Sequence, residues 1–238
     1  MNKILEETTH RPFTYPERRW TYYQEWNNVL FLHWEVSYKV LRALVPPRLQ
    51  LDLFEGKAYV SLVAFTMQRI RPRYLPAVRA LSDFDEINIR TYIHNNGKPG
   101  VYFLSIEAGK ILSAKVARAL SGLPYQSAVI HREEGRYESV NPSRDFRLHL
   151  RYKIGLPKRS KTALDRWLTE RYSLYLYHKN VYYYYAIHHL EWDIRELEWS
   201  DLEIAYRFGD LELLSVPQIC HYSKGVKVLA WDREKLKK

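Results

Sequence analysis

The chain has 238 residues, 46% of them apolar, enough to fill the core of one domain over residues 1–238. A single cysteine, Cys220, excludes an internal disulfide. Acidic residues in Met-Asn-Lys-Ile-Leu-Glu-Glu occupy the place of a signal peptide's apolar core, and charges break every hydrophobic run short of the roughly 18 residues of a membrane span, so a cytoplasmic chain with no membrane partner is expected. The formal charge of +10 raises nucleic acid as a partner, but the basic clusters, Lys158-Arg159-Ser160-Lys161 and the Lys235 to Lys238 tail, are modest and read as a solvated surface, so nucleic-acid binding is not expected.

The 20 Tyr and 7 Trp, against 2 Met, favour pleated, half-buried surfaces and cavities with polar tips on their walls. Residues 1–26 show no clean period and read as an irregular arm that docks through its aromatics. Val29 to Val36 is short and apolar enough for a buried strand, with His33 and Glu35 on one face; His33 reads first as a hydrogen-bonded core histidine and is retained as a candidate ligand contact. Tyr38 to Val45 has helical spacing and is stopped by Pro46-Pro47, and a strand over Leu49 to Phe54 would complete a βαβ-like opening. Ala58 to Met67 reads as a strand. Arg69, Arg71 and Arg73 beside Pro72 are either an anion clamp over a pocket mouth or an exposed basic loop.

Glu86, Asn88, Arg90 and Tyr92 alternate strictly with Ile87, Ile89, Thr91 and Ile93, which predicts a strand, and composition alone turns the polar row to solvent. His94 to Gly100 is a hairpin loop and Val101 to Ile106 the returning strand. Ala108 to Ser121 is a helix of small residues ended by Gly122 and Pro124. Within it Lys115 could act as an amine only if desolvated, whereas a lysine among small residues more commonly snorkels to water.

In the second half, Arg132 to Arg136 reads as a charged hairpin turn and Arg144 to Ile154 as a strand with one buried face. Thr162 to Arg171 has helical spacing and leads into the tyrosine-rich strands Tyr172 to Tyr177 and Tyr182 to His189. His188 and His189 are neighbours on a strand and point to opposite faces, so no metal site is expected there. Trp192 to Glu203 is an acidic surface segment, and Leu214 to Trp231 is expected to form a last strand pair turning at Gly225.

Three blocks carry a resemblance: Leu32-His33-Trp34-Glu35-Val36 with Leu44-Val45-Pro46; Phe65 through Arg71-Pro72-Arg73; and Phe84-Asp85-Glu86-Ile87-Asn88-Ile89-Arg90-Thr91-Tyr92 through Gly100-Val101-Tyr102-Phe103 to Ala117-Arg118 and Leu123-Pro124-Tyr125. Together, over roughly residues 20–232, the chain resembles the YqjF-like bacterial proteins of uncharacterised function, within the acetoacetate decarboxylase-like superfamily. The resemblance implies an α+β, β-rich barrel of acetoacetate decarboxylase-like type with flanking helices, a buried apolar cavity, and a strand glutamate entering it that matches Glu86. In acetoacetate decarboxylases a Gly-aromatic-Pro-Lys motif supplies an imine-forming lysine. Here Gly122-Leu123-Pro124 is followed by Tyr125 and Gln126, and a phenol forms no imine, so decarboxylation by that route is not expected.

The resemblance turns the polar strand face inward. The expected site has Glu86 and Tyr125 as an acid/base pair, with Asn88, Arg90, Arg118, His33, Arg71 and Arg73 as ligand contacts and no cofactor or metal. The expected partner is a small carboxylic or keto acid, bound either for lyase-like or other acid/base chemistry or without turnover; homo-oligomerisation is left open. Desolvation would raise the Glu86 pKa unless Arg90 or Arg118 offsets it.

Overall fold

Long runs of β-branched and aromatic residues, broken by Asn-Gly and Gly turns, make a strand-rich chain. The structure is a computed structural model describing residues 2–236; Met1 and the last two residues of the basic tail, Lys237 and Lys238, lie outside the described residues, as do the side chains of Asn2, Val116, Ala119 and Leu120. In chain order the elements are α1 (Asn2–Glu6), β1 (Tyr22–Val36), α2 (Tyr38–Leu44), β2 (Gln50–Leu51), β3 (Ala58–Pro72), α3 (Arg79–Ser82), β4 (Phe84–Asn95) and β5 (Lys98–Ala108). They continue with α4 (Ile111–Ser121), β6 (Tyr125–Ser127), β7 (Val129–Glu133), β8 (Arg136–Asn141), β9 (Phe146–Pro157) and α5 (Ala163–Thr169). The remainder is β10 (Ser173–His178), β11 (Val181–His188), β12 (Ile194–Phe208), β13 (Leu211–Leu213), β14 (Ile219–Ala230) and β15 (Glu234–Lys235).

The sheet runs β11-β10-β5-β4-β3-β1-β14, and β11 also pairs with β14, so these strands form a ring. From β14 the sheet continues outward through β12, β9, β8 and β7. β4 lies within the ring and is buried on both faces over Glu86 to Ile93. Ile87 and Ile89 pack outward with Leu30, Leu62, Leu148 and Tyr206, so the outer strands cover that side. Each fully buried isoleucine there contributes about 2 kcal/mol of apolar burial. The other face of β4 looks into the ring, where Phe31, Val63, Phe65, Tyr92, Val101 and Leu174 form a second core.

Three expectations about elements change. The strand expected over Leu49 to Phe54 shortens to β2, which pairs antiparallel with β4 rather than lying parallel to β1, so the opening is not a βαβ unit, which needs parallel strands and a right-handed crossover. β3 runs on to Pro72, which pairs with Tyr22, so Arg69 and Arg71 belong to the sheet and Arg73 to the turn directly after it. Gly225 is no turn: it lies inside β14 with φ 135°, where a Cβ would fall 2.7 Å from Asn27 Oδ1 and closer still to the Trp26 carbonyl oxygen. A glycine is needed there for close approach of two strands. The hairpin between β4 and β5 is tight, with Asn96 and Gly97 both at positive φ, as an Asn-Gly pair permits. Among the described residues, no helix is long and apolar enough to cross a membrane.

Candidate functional site

A cavity of about 420 Å³ lies on the inner face of the ring. The alternation of β4 brings Glu86, Asn88 and Arg90 together onto its wall, each under 10% exposed. A bulge in the β4–β5 pairing, where Ile89 faces Ser105 and Arg90 faces Phe103, re-aims the strand beside Arg90.

Tyr125 reaches the same wall by a different route. Gly122, at φ 72°, ends α4 in the left-handed conformation, and Leu123-Pro124 leads into β6, which pairs parallel with β5. The register sets Tyr125 opposite Ile106, and Ile106 opposite Asn88, so the phenol lands next to the polar row. Tyr125 Oη donates to Glu86 Oε2 at 2.9 Å, and Asn88 Nδ2 donates to Glu86 Oε1 at 3.2 Å. Burial nevertheless raises the Glu86 carboxyl to about 7, the two hydrogen bonds offsetting only part of the desolvation. Burial and the neighbouring Glu86 push the Tyr125 phenol well above its ordinary range, so it stays a neutral donor. No arginine offsets the burial of Glu86: Arg90 lies about 13 Å further along the strand, measured between Cα atoms at ~3.3 Å per residue.

Arg90 anchors the other end of the cavity. Its Nη2 donates weakly to the Leu168 carbonyl at 3.4 Å, its Nε is buried without a partner, and it makes no ion pair with a carboxylate among the described residues. Arg171, which follows α5, lines the cavity as well. Its Nη1 pairs with Asp52 Oδ2 at 2.5 Å, its Nε donates to the Trp167 carbonyl at 2.6 Å, and its Nη2 is also unpartnered. Of the two buried guanidiniums only Arg171 has a described carboxylate partner, and the end of the cavity that they line carries a positive charge in apolar surroundings. Nothing in the local sequence marks Arg171, because it comes from the loop after a helix.

The other expected contacts are not brought to the cavity wall. Arg118 and Lys115 are exposed, because Ala114, Ala117 and Ser121 form the inward stripe of α4 and each basic residue lies about 100° around the helix from it. Arg71 and Arg73 ride the end of β3 and stack over Tyr23 and Trp20, 4.9 and 4.6 Å from the ring centroids. His33 is fully buried behind the wall. Its Nδ1 meets Ser61 Oγ at 2.6 Å, Ser61 meets Tyr92 Oη at 2.5 Å, and its Nε2 lies 3.4 Å from His221 Nδ1. His221 Nε2 in turn is 2.8 Å from Asp165 Oδ1. Burial would raise the Asp165 carboxyl, but hydrogen bonds from Lys158 and Thr162 bring it down to about 2, so it accepts from His221. With both imidazoles kept neutral by burial, the donors run from Ser61 through His33 and His221 to Asp165. This network braces the wall behind Arg90 and Tyr92.

Much of the remaining wall is aromatic, from Trp26, Phe31, Phe65, Phe103, Tyr185 and Trp192, with aliphatic side chains such as Val63 and Leu174 between them and the polar Gln24, Asp232 and Arg233 also on the lining. His189 lies among them, a cavity residue beyond the expected set, while its neighbour His188 turns to the N-terminal arm and meets the Ile4 carbonyl at 2.6 Å. The two histidines diverge, His188 as the last residue of β11 and His189 as the first beyond it.

The ring-like sheet with its inner cavity defines an acetoacetate decarboxylase-like fold. An acetoacetate decarboxylase-like enzyme from Sphingomonas wittichii RW1 matches with a TM-score of 0.61 at 15% identity, over 93% of this chain and 95% of that chain. The enduracididine biosynthesis enzyme MppR complexed with pyruvate matches with a TM-score of 0.61 at 13% identity, over 94% of this chain and 92% of that chain. At such identities the likeness is one of fold. The chain belongs to the DUF2071 family of uncharacterized conserved proteins, which matches residues 23–227. It is 36% identical over 243 residues to the uncharacterized protein YqjF of Bacillus subtilis (strain 168), spanning 98% of this chain and 99% of that one.

Proposed function

We propose that the cavity binds a small organic acid, with the ligand carboxylate on Arg90 and Arg171 and acid/base chemistry at Glu86 and Tyr125. The observation that carries this reading is Arg90, a buried guanidinium on the cavity wall with no carboxylate partner among the described residues and a free Nε. A buried charge is costly unless paired, and a ligand carboxylate would pair it with two N–H donors. That a protein of the same fold is described in complex with pyruvate, a keto acid, agrees in ligand class.

At the opposite end, a carboxyl with a pKa of about 7 is half ionised near neutrality and suited to proton transfer. The Glu86 carboxylate would take a proton from the carbon beside a ligand carbonyl. The bonding pair would move to the carbonyl oxygen, Tyr125 would turn its hydrogen bond from Glu86 to that oxygen, and Glu86 would return the proton. Imine chemistry has no place in this scheme, since Tyr125 and Gln126 follow Pro124 and Lys115 is exposed. That lack of an amine equally favours the second reading, a protein that binds the acid without turnover.

The test is a thermal-shift series with pyruvate, acetoacetate and 3-phenylpropanoate on the wild type and Arg90→Met, followed by NMR of the binding keto acid in D₂O. Acid-dependent stabilisation of the wild type, absent in Arg90→Met, is expected. Stabilisation by none of the acids, or equal stabilisation of both proteins, overturns the site. Deuterium uptake beside the carbonyl that Glu86→Gln abolishes assigns the acid/base role; binding without uptake assigns the non-catalytic one.

A further inference from the structure

His189 is 1% exposed and lines the cavity. Its Nδ1 is 2.7 Å from the Leu190 carbonyl oxygen, which can only accept, so the proton sits on Nδ1 and Nε2 carries a lone pair. Nε2 has no hydrogen-bond partner among the described residues. The ring is held in place by Tyr172, Trp192 and Trp26, with centroids 4.8, 5.1 and 6.1 Å away, and its main-chain carbonyl is held by His10 Nε2 at 2.8 Å. Burial lowers its pKa to about 3, so the imidazole stays a neutral acceptor across the physiological range.

A second acceptor is left open in the same cavity. Asn88 turns its Nδ2 to Glu86, and its Oδ1 is buried without a partner. The unpaired polar atoms on cavity residues thus include guanidinium donors on Arg90 and Arg171 and acceptors on His189 and Asn88. A plain carboxylic or keto acid satisfies the first kind and leaves the second bare. The volume is also generous. About 420 Å³ falls within the range of pockets that enclose drug-sized ligands, and much of its wall is aromatic.

We infer that the ligand is a hydroxylated acid with an aromatic-sized apolar body, its carboxylate at Arg90 and its hydroxyl donating to His189 Nε2. The inference rests on the organic-acid reading above and adds the hydroxyl and the size. A neutral hydroxyl suits the site better than an ammonium group, which would bring a second charge into apolar surroundings. The selectivity follows from the unmet acceptor: an acid without the hydroxyl would leave Nε2 desolvated and unpaired.

The experiment compares 3-phenylpropanoate with its 2-, 3- and 4-hydroxyphenyl isomers by calorimetric titration of the wild type, His189→Gln and His189→Leu. It is paired with ¹⁵N NMR of the wild-type histidine side chains. At least one hydroxylated isomer is expected to bind the wild type tenfold or more tightly than the parent acid. That preference should largely survive in His189→Gln, which keeps an acceptor, and vanish in His189→Leu, while the Nε2 resonance of one Nδ1-protonated histidine shifts on binding. Equal binding of the parent acid and all three isomers to the wild type, with no histidine shift, overturns the inference and leaves the acid site standing. Binding of none of the four removes both. Should His189→Leu fail to fold, the wild-type preference and the histidine resonance decide the matter without it.

Discussion

Tyr125 Oη and Glu86 Oε2, 39 positions apart in the chain, meet at 2.9 Å on the inner face of the ring. The pairing needs two unrelated devices, the period of β4 and the glycine-ended helix that feeds β6. Its first consequence is a pH effect on stability. Burial raises the folded-state pKa of Glu86 from 4.5 to about 7, so the folded protein keeps a proton that the unfolded chain has lost. The stability from the protonated group is fully present below pH ~4.5 and is lost as pH rises through ~7, about 3 kcal/mol in all. Glu86→Gln removes the titration. Urea unfolding at pH 5 and pH 8 should therefore show the variant gaining about 2–3 kcal/mol on the wild type across that interval. An unchanged difference at the two pH values would mean that Glu86 is ionised in the fold throughout.

The buried histidines act with the opposite sign. His33, His188, His189 and His221 are all held below the ordinary imidazole range, with burial the leading cause in each; Arg11 and His10 face His188 and His189, and Asp165 faces His221. The unfolded chain takes up protons below pH ~6.5 and the folded one resists, so their contribution is complete above ~6.5 and falls away as the solution is acidified. Set against Glu86, His188 and His189 alone make unfolding near pH 5.5 take up about one proton net, a slope of about 1 kcal/mol per pH unit, to which His33 and His221 add in the same direction. Unfolding midpoints between pH 7 and pH 5 measure this directly. A stability that does not fall on acidification through this range would show that the imidazoles are protonated in the fold.

How far the chain spells out this site depends on which residues are in question. The period of two over Glu86 to Ile93 is plain in the sequence, because a strand sorts its side chains without outside help. The inward direction of the polar row is not, since it depends on outer strands more than 50 positions away that cover Ile87 and Ile89. The family resemblance supplied that direction. Arg171 and His189 follow the ends of α5 and β11, where no spacing rule applies, and only the closed ring brings them to Arg90. Arg71 and Arg73 show the converse. A cluster of cations beside a proline looks like a clamp on paper, but aromatic neighbours on the arm and β1 claim both side chains.

In the sequence Gly225 reads as a turn residue, because freedom at positive φ serves turns and close strand contacts alike. Its position inside β14, against Trp26 and Asn27, predicts that Gly225→Ala destabilises by about 3 kcal/mol or more, from a strained φ together with a backbone clash. Gly209→Ala provides the comparison, since it shares positive φ but has open space around it. Chemical denaturation should place the Gly209 variant near 1–2 kcal/mol. Equal losses at the two sites would assign the whole effect to φ and none to the strand contact.

The two cavity arginines should respond to mutation in opposite ways. Arg171 is 3% exposed on its side chain and ion-paired with Asp52, so Asp52→Ala strands a buried charge and is expected to cost about 3–5 kcal/mol. Arg90 has a free Nε and no described ion pair, its contacts being the Leu168 carbonyl, the Tyr92 hydroxyl and the Phe31 ring. Its replacement by methionine, of similar reach and no charge, is expected to stabilise the ligand-free protein by about 1–4 kcal/mol. The same change removes the cation that would receive the ligand carboxylate. Arg90→Met should accordingly melt higher than the wild type in plain buffer and lose its lead as a binding acid is added, because mass action stabilises only the protein that keeps the site. A lower melting temperature for Arg90→Met in plain buffer would mean that Arg90 has a structural partner of its own, and the argument for an anionic ligand would lose its footing.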